Sequence, residues 1–190
     1  MADAAHSIGA VYKDKPAAKF SDVAVFSFHA VKNLTTAEGG AVCLNLPDPF
    51  KQDEIYQYLN TFSLHGQNKD ALAKFKKGGW RYDVIEAGYK CNMTDIMASI
   101  GLVEINRYAD TLKVRMDIVK RYDAYFSSYS WYEPFVFNTS EKTSSAHLFM
   151  LRIKGFTESQ RDRVIELVSA QDIAVNVHFQ PLPLLSYYKD

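Results

Sequence analysis

Cysteine is scarce in this sequence: Cys43 and Cys91 are the only two in 190 residues, and neither lies near the other. That excludes a disulfide framework and a CxxC zinc site, and it predicts two buried thiols in a reducing cytosol. An excess of either charge is missing too. The 22 Lys+Arg offset the 22 Asp+Glu, so no charge block points to nucleic acid or a membrane surface. No apolar run approaches the roughly 18 residues of a membrane span. The opening MADAAH lacks the basic flank and apolar core of a signal peptide. No pair of histidines with a carboxylate has metal-ligand spacing, so no metal is expected. TTAEGG (35–40) is not a nucleotide-phosphate loop, and no internal repeat is visible.

What is present is ordinary globular usage, 47% hydrophobic and 23% charged. The length allows one large domain or parts of two. Aromatics reach 14%, which suits a well-filled core. VAVFSF (23–28) and AVCLN (41–45) read as strands joined by a polar, glycine-ended loop. The spacing over 48–62 predicts a helix behind an Asp48 cap, with Pro49 at its first position. Residues 66–88 read as a long surface loop, basic through Lys69, Lys74, Lys76, Lys77 and Arg81. Thr94 caps a helix ending near 107, and a second helix covers about 110–128, with a break at Arg107–Asp110. HLFMLRI (147–153) and IAVNVHF (173–179) read as strands flanking a helix over 157–172 that opens on a Thr157/Gln160 capping box. The class is α/β, divided into 1–108 and a smaller α+β part, 109–190, that includes the connecting helix.

Lys32 lies in the loop between two apolar strands, after Ser27 and His29 and before Thr35, Thr36 and Gly39-Gly40. It is either a solvated loop lysine or an amine held beside buried strands and usable as a nucleophile. Asp3 sits in the uncharged stretch DAAHSIGA. Its partner is either a backbone N–H or a protonated nitrogen of a ligand. Among the other histidines, His65 and His147 read as structural, His147 within a strand.

The segment DAAHSIGAVYKDKPAAKFSDVAVFSFHAVKNLTTAEGGAV (3–42) resembles the DegT/DnrJ/StrS sugar aminotransferases, which use pyridoxal phosphate (PLP) and have fold type I. The resemblance continues through GYKCNMTDIMASIGLVEI and NVHFQPLPLLSYY. It implies that Lys32 forms the covalent link to PLP and that Asp3 pairs with the pyridinium nitrogen. His6 would lie beside the ring near its hydroxyl, Ser27 would bind the phosphate, and Asn92 would reach the phosphate of a neighbouring subunit's cofactor. His178, in a segment that approaches the active site, is a candidate substrate contact, and His29, at the strand end, either contacts substrate as pocket lining or packs structurally. The implied activity is transfer of an amino group, from glutamate, to a nucleotide-linked keto-sugar by a cytoplasmic homodimer. The product would feed lipopolysaccharide or other polysaccharides. A sister branch that dehydrates sugars replaces the lysine by histidine, so Lys32 favours transamination. In the family about half the protein precedes the Asp3 motif, and further helices follow the PLPLLSYY segment. The resemblance therefore implies a partial large domain with exposed sheet edges, weak PLP binding by the chain alone, and a need for a partner chain or self-association. The opposing reading is a non-catalytic remnant that serves as an interaction module.

Overall fold

A computed structural model describes residues 1–68 and 82–189. The chain divides into two compact units, one comprising 1–128 and 135–150, the other 129–134 and 151–190.

Two small sheets organise the first unit. One has the order β1 (Ala2–Asp3), β4 (Val23–Ser27), β5 (Gly40–Leu44). β1 runs parallel to β4, with Asp3 opposite Val25, and β5 returns antiparallel with Ser27 opposite Gly40. The two strands expected around the lysine are thus present in register. Valine and phenylalanine fill β4, and Ala24, its second residue, is fully buried. The second sheet has the order β3 (Lys15–Pro16), β2 (Val11–Tyr12), β6 (Lys142–Thr143), all antiparallel.

Helix α1 covers Gln52–Ser63. It begins later than the sequence predicts, because Asp48 and Pro49 lie in a turn closed by Phe50 N–H donating to Pro47 O, so Asp48 caps nothing. The segments flanking the basic loop pair at Gln67–Val84 and Leu64–Lys90. The loop's Lys69, Lys74, Lys76, Lys77 and Arg81 lie outside the described residues.

Helix α2 is one element of 32 residues, Asp95–Phe126, where two helices were expected. Arg107–Asp110 holds no glycine or proline, and every residue there sustains helical hydrogen bonding; polarity alone does not end a helix. Thr94 caps α2 as expected, its Oγ1 accepting from Met97 N–H at 3.3 Å. The C-terminal half of α2 contributes Val119 to a core with Phe137 and Ala146, against which Met116, Phe135 and Phe149 pack. Aromatic rings extend that cluster, with Tyr122, Phe126 and Phe137 each 5.0–6.0 Å from Phe149.

The second unit holds α3, Glu158–Ser169, with both halves of the Thr157/Gln160 capping box formed. The strands expected at 147–153 and 173–179 do not form ladders among the described residues. Only an isolated bridge, Tyr132–Ile153, marks the first of them. Alternating apolar residues supply strand propensity, but a strand also needs a neighbour to pair with. Both cysteines are free and exposed rather than buried. Cys43 lies on β5, an edge strand of its sheet, where neighbouring Val42 is half exposed too.

Candidate active site

Parallel β1 and β4 end on the same side of their sheet, and ligands in α/β folds gather at such carboxyl ends. Asp3 closes β1 and Ser27 closes β4. From Ser27 the chain enters the lysine loop, which is built from its own backbone. Lys32 N–H donates to His29 O, Thr36 N–H to Phe28 O, and Phe28 N–H to Gly39 O, all within 2.8–2.9 Å. Thr36, fully buried, donates its hydroxyl to Glu38 O at 2.6 Å.

Glycine is required where this loop closes. At Gly39, φ is +147°, and a Cβ would stand 2.5 Å from Thr36 Oγ1 and 3.0 Å from Met93 Cε. At Gly40 it would meet Phe26 O at 2.6 Å. The close packing expected of this pair is therefore present.

The loop directs the half-buried Lys32 to His6, with Nζ 2.8 Å from Nε2. Among the described residues this is the side-chain to side-chain hydrogen bond that joins two of the expected site residues. Asp3 Oδ1 accepts from Ala5 N–H at 3.0 Å, so the carboxylate is oriented by the backbone. Among the described residues no hydrogen bond reaches its second oxygen. Ser27 Oγ accepts from His29 N–H at 3.3 Å. The His29 ring lies 3.7 Å from Glu38 Oε1, and both are exposed.

Asn92 stands in a different setting. It accepts a hydrogen bond from Lys90 and donates to Met93 O at 3.2 Å. It also lines an open groove of about 490 Å³ together with Gln57, Asn60 and Gln67. Its neighbour Met93 packs beside Gly39, which connects this segment to the lysine loop. His178 belongs to the second unit, where its ring centroid is 3.7 Å from that of Phe179. His65 is exposed, and its N–H donates to Tyr89 O at 2.8 Å.

Sequence reasoning missed a group behind the lysine. Asn33, buried at 6% exposure, donates from Nδ2 to Ser145 O at 2.6 Å and places Oδ1 2.7 Å from His147 Nδ1. His147 is not a strand residue; its ring lies 4.1 Å from the His6 ring, centroid to centroid. Ser145 Oγ donates to His6 O at 2.5 Å. Tyr108, on α2, donates to Ile8 O at 2.6 Å. Burial pushes its phenol up, and Asn33 and Arg115 partly offset that. These partners are separated by 100 or more residues in the chain, so no local pattern reveals them.

Among the described residues no helix is long and apolar enough to cross a membrane.

The family profile for DegT/DnrJ/EryC1/StrS aminotransferases matches residues 1–190. The spore coat polysaccharide biosynthesis protein SpsC of Bacillus subtilis (strain 168) is 32% identical over all of this chain and 48% of its own length. Among solved structures, Spr1654 of Streptococcus pneumoniae, assigned as a sugar aminotransferase, superposes in its PMP form with a TM-score of 0.90. It is 46% identical, over 98% of this chain and 47% of its own. Helicobacter pylori PseC, an aminotransferase involved in pseudoaminic acid biosynthesis, superposes with a TM-score of 0.83 at 26% identity, again over 98% of this chain and 47% of its own. The likeness bears out the expected fold-type-I α/β architecture, and the chain spans about half the length of the relatives it matches. The chain belongs to the DegT/DnrJ/EryC1/StrS aminotransferase family.

Proposed function

We propose that this chain carries the reactive-amine side of a PLP-dependent aminotransferase site, with Lys32 as the residue that links covalently to the cofactor. The observation that carries the reading is the Lys32–His6 contact of 2.8 Å, at the carboxyl ends of the strands that Asp3 and Ser27 close. The chemistry of this set fits PLP. An amine meets an aldehyde, a carboxylate meets a protonated ring nitrogen, an imidazole meets a phenolic oxygen, and a hydroxyl meets a phosphate. The half-open Asp3 carboxylate has an oxygen left for such a nitrogen. Spr1654 is matched in its PLP form as well as its PMP form.

When bound, the cofactor supplies an electron-accepting pyridinium ring. The chain's own residues do the rest. Anionic Asp3 holds the proton on the ring nitrogen. Lys32 Nζ would take and return the substrate proton as a base. Ser27 Oγ and the backbone beside it anchor the phosphate. Asn92 reaches the phosphate of a second copy's cofactor, in a homodimer. His29 contacts the substrate, a nucleotide-linked keto-sugar bound for polysaccharide synthesis, with glutamate as amino donor. SpsC and PseC, named for polysaccharide and pseudoaminic acid biosynthesis, support that substrate class.

The test is turnover of a nucleotide-keto-sugar with glutamate, with the remainder of the family fold supplied. Lys32→Ala is expected to abolish the product. Asp3→Asn is expected to retain part of the cofactor and to lower turnover by about 100-fold or more, the scale of a lost acid–base group. Full turnover by either variant would refute the role given to that residue. A second reading, a catalytically incomplete remnant acting as an interaction module, predicts no turnover even with the remainder of the family fold supplied, and robust turnover would dismiss it.

A further inference from the structure

The contacts behind Lys32 form a closed circuit. Lys32 Nζ meets His6 Nε2, and the His6 ring lies in tilted contact with the His147 ring. His147 meets Asn33, and Asn33 is bonded in sequence to Lys32. Ser145 closes the circuit a second time, accepting from Asn33 through its carbonyl and donating to His6 through its hydroxyl.

We propose that His147, fixed by Asn33, is a positioning residue that holds the His6 imidazole in one orientation and one tautomer against the Lys32 amine. The proton inventory supports this. Ser145 O can only accept, so the Asn33 amide nitrogen faces it and Oδ1 faces His147. An amide oxygen can only accept, so His147 Nδ1 carries a proton and donates it. As an ammonium, Lys32 has three donors and no acceptor, so His6 Nε2 accepts and the neutral His6 ring keeps its proton on Nδ1. Rotating the His6 ring by half a turn would present carbon or an N–H to the amine. The His147 ring, its centroid 4.1 Å from that of His6 and tilted by 40°, opposes that rotation, and the Ser145 hydroxyl on His6 O fixes the backbone from which the ring projects. Both are rooted in Asn33, which is buried and satisfied on both sides of its amide. A residue far along the chain thereby sets the direction from which Lys32 is approached. Distant hydrogen-bonded partners that fix a ring's tautomer are a general means of tuning histidine.

The inference rests on the reading of Lys32 as the reactive amine, but its test needs no cofactor. Long-range ¹H–¹⁵N spectra of the 190-residue chain report imidazole tautomers directly. The wild type is expected to show His6 with its proton on Nδ1 and His147 likewise. His147→Ala is expected to shift the His6 tautomer ratio toward the other form by about five-fold, the weight of one ring–ring contact. Should His147→Ala fail to fold, His147→Phe keeps a ring over His6 without the Nδ1–H, and the same shift is expected in smaller measure. An unchanged His6 tautomer in whichever of the two variants folds, with only the melting temperature lowered, would make His147 a packing residue and overturn the proposal. A wild-type His6 proton on Nε2 would overturn it as well. Failure of Lys32 to bind PLP, with these spectra as expected, would count against the aminotransferase reading alone.

Discussion

Tyr108 and Gly39 show how single positions hold the lysine loop and its surroundings. Tyr108 donates to Ile8 O and is held protonated by its burial. Its raised folded-state value means that its contribution is present below the ordinary tyrosine range and is lost as pH rises through the folded value. Tyr108→Phe is therefore expected to cost about 1 kcal/mol at neutral pH and to flatten the alkaline branch of the stability curve. Denaturant midpoints measured from neutral to strongly alkaline pH check both parts. Gly39→Ala is expected to lose about 1–3 kcal/mol, because a Cβ 2.5 Å from Thr36 Oγ1 must displace the buried Thr36 or distort the backbone. An equilibrium unfolding curve no lower than that of the wild type would refute it. At this scale the sequence displayed Lys32, Asp3 and the paired glycines, because each sits inside a local pattern. It did not display His147, Asn33 and Ser145, whose meaning comes from partners more than 100 residues away.

Among elements, local signals proved reliable where they specify a terminus. Thr94 and Thr157 cap their helices as expected, since the cap is a short-range hydrogen bond. Asp48 misleads because the turn at Pro47–Phe50 takes up the chain before a helix can start. Among the described residues the two expected strands at 147–153 and 173–179 lack ladders, because strand pairing is a non-local property that no single segment encodes. Thr157→Ala is expected to destabilise α3 by about 1 kcal/mol and Thr157→Ser to be nearly neutral. Hydrogen exchange in the first turn of α3 reads this directly, and equal protection in the alanine variant would refute it. The continuity of α2 makes a sharper prediction. Ala109→Pro, inside the stretch expected to break, should cost about 3 kcal/mol or more by removing a helical hydrogen bond. Were residues 107–110 a true break, the substitution would be silent in circular dichroism and in the unfolding midpoint.

For the whole molecule, the conspicuous feature is uncovered apolar surface. On α2, Ile96 is 76% exposed and Leu102 66%, in a chain that spans about half the length of the solved relatives it matches. Large exposed apolar side chains favour association. The 190-residue chain is expected to self-associate with rising concentration in light scattering. Leu102→Lys combined with Val103→Lys should shift it toward monomer, and a strictly monomeric wild type at high concentration would contradict this. The α/β class and the strand–lysine–strand arrangement were legible because they are carried by contiguous sequence. The division into two compact units depends on which segments pack together. The central claim remains that Lys32 is the amine the site is built around. It is tested most directly by adding PLP, with the rest of the family fold present, reducing with borohydride and mapping the labelled peptide by mass spectrometry. The account predicts a phosphopyridoxyl group on Lys32 that disappears in Lys32→Ala; a stoichiometric label on any other lysine would contradict it.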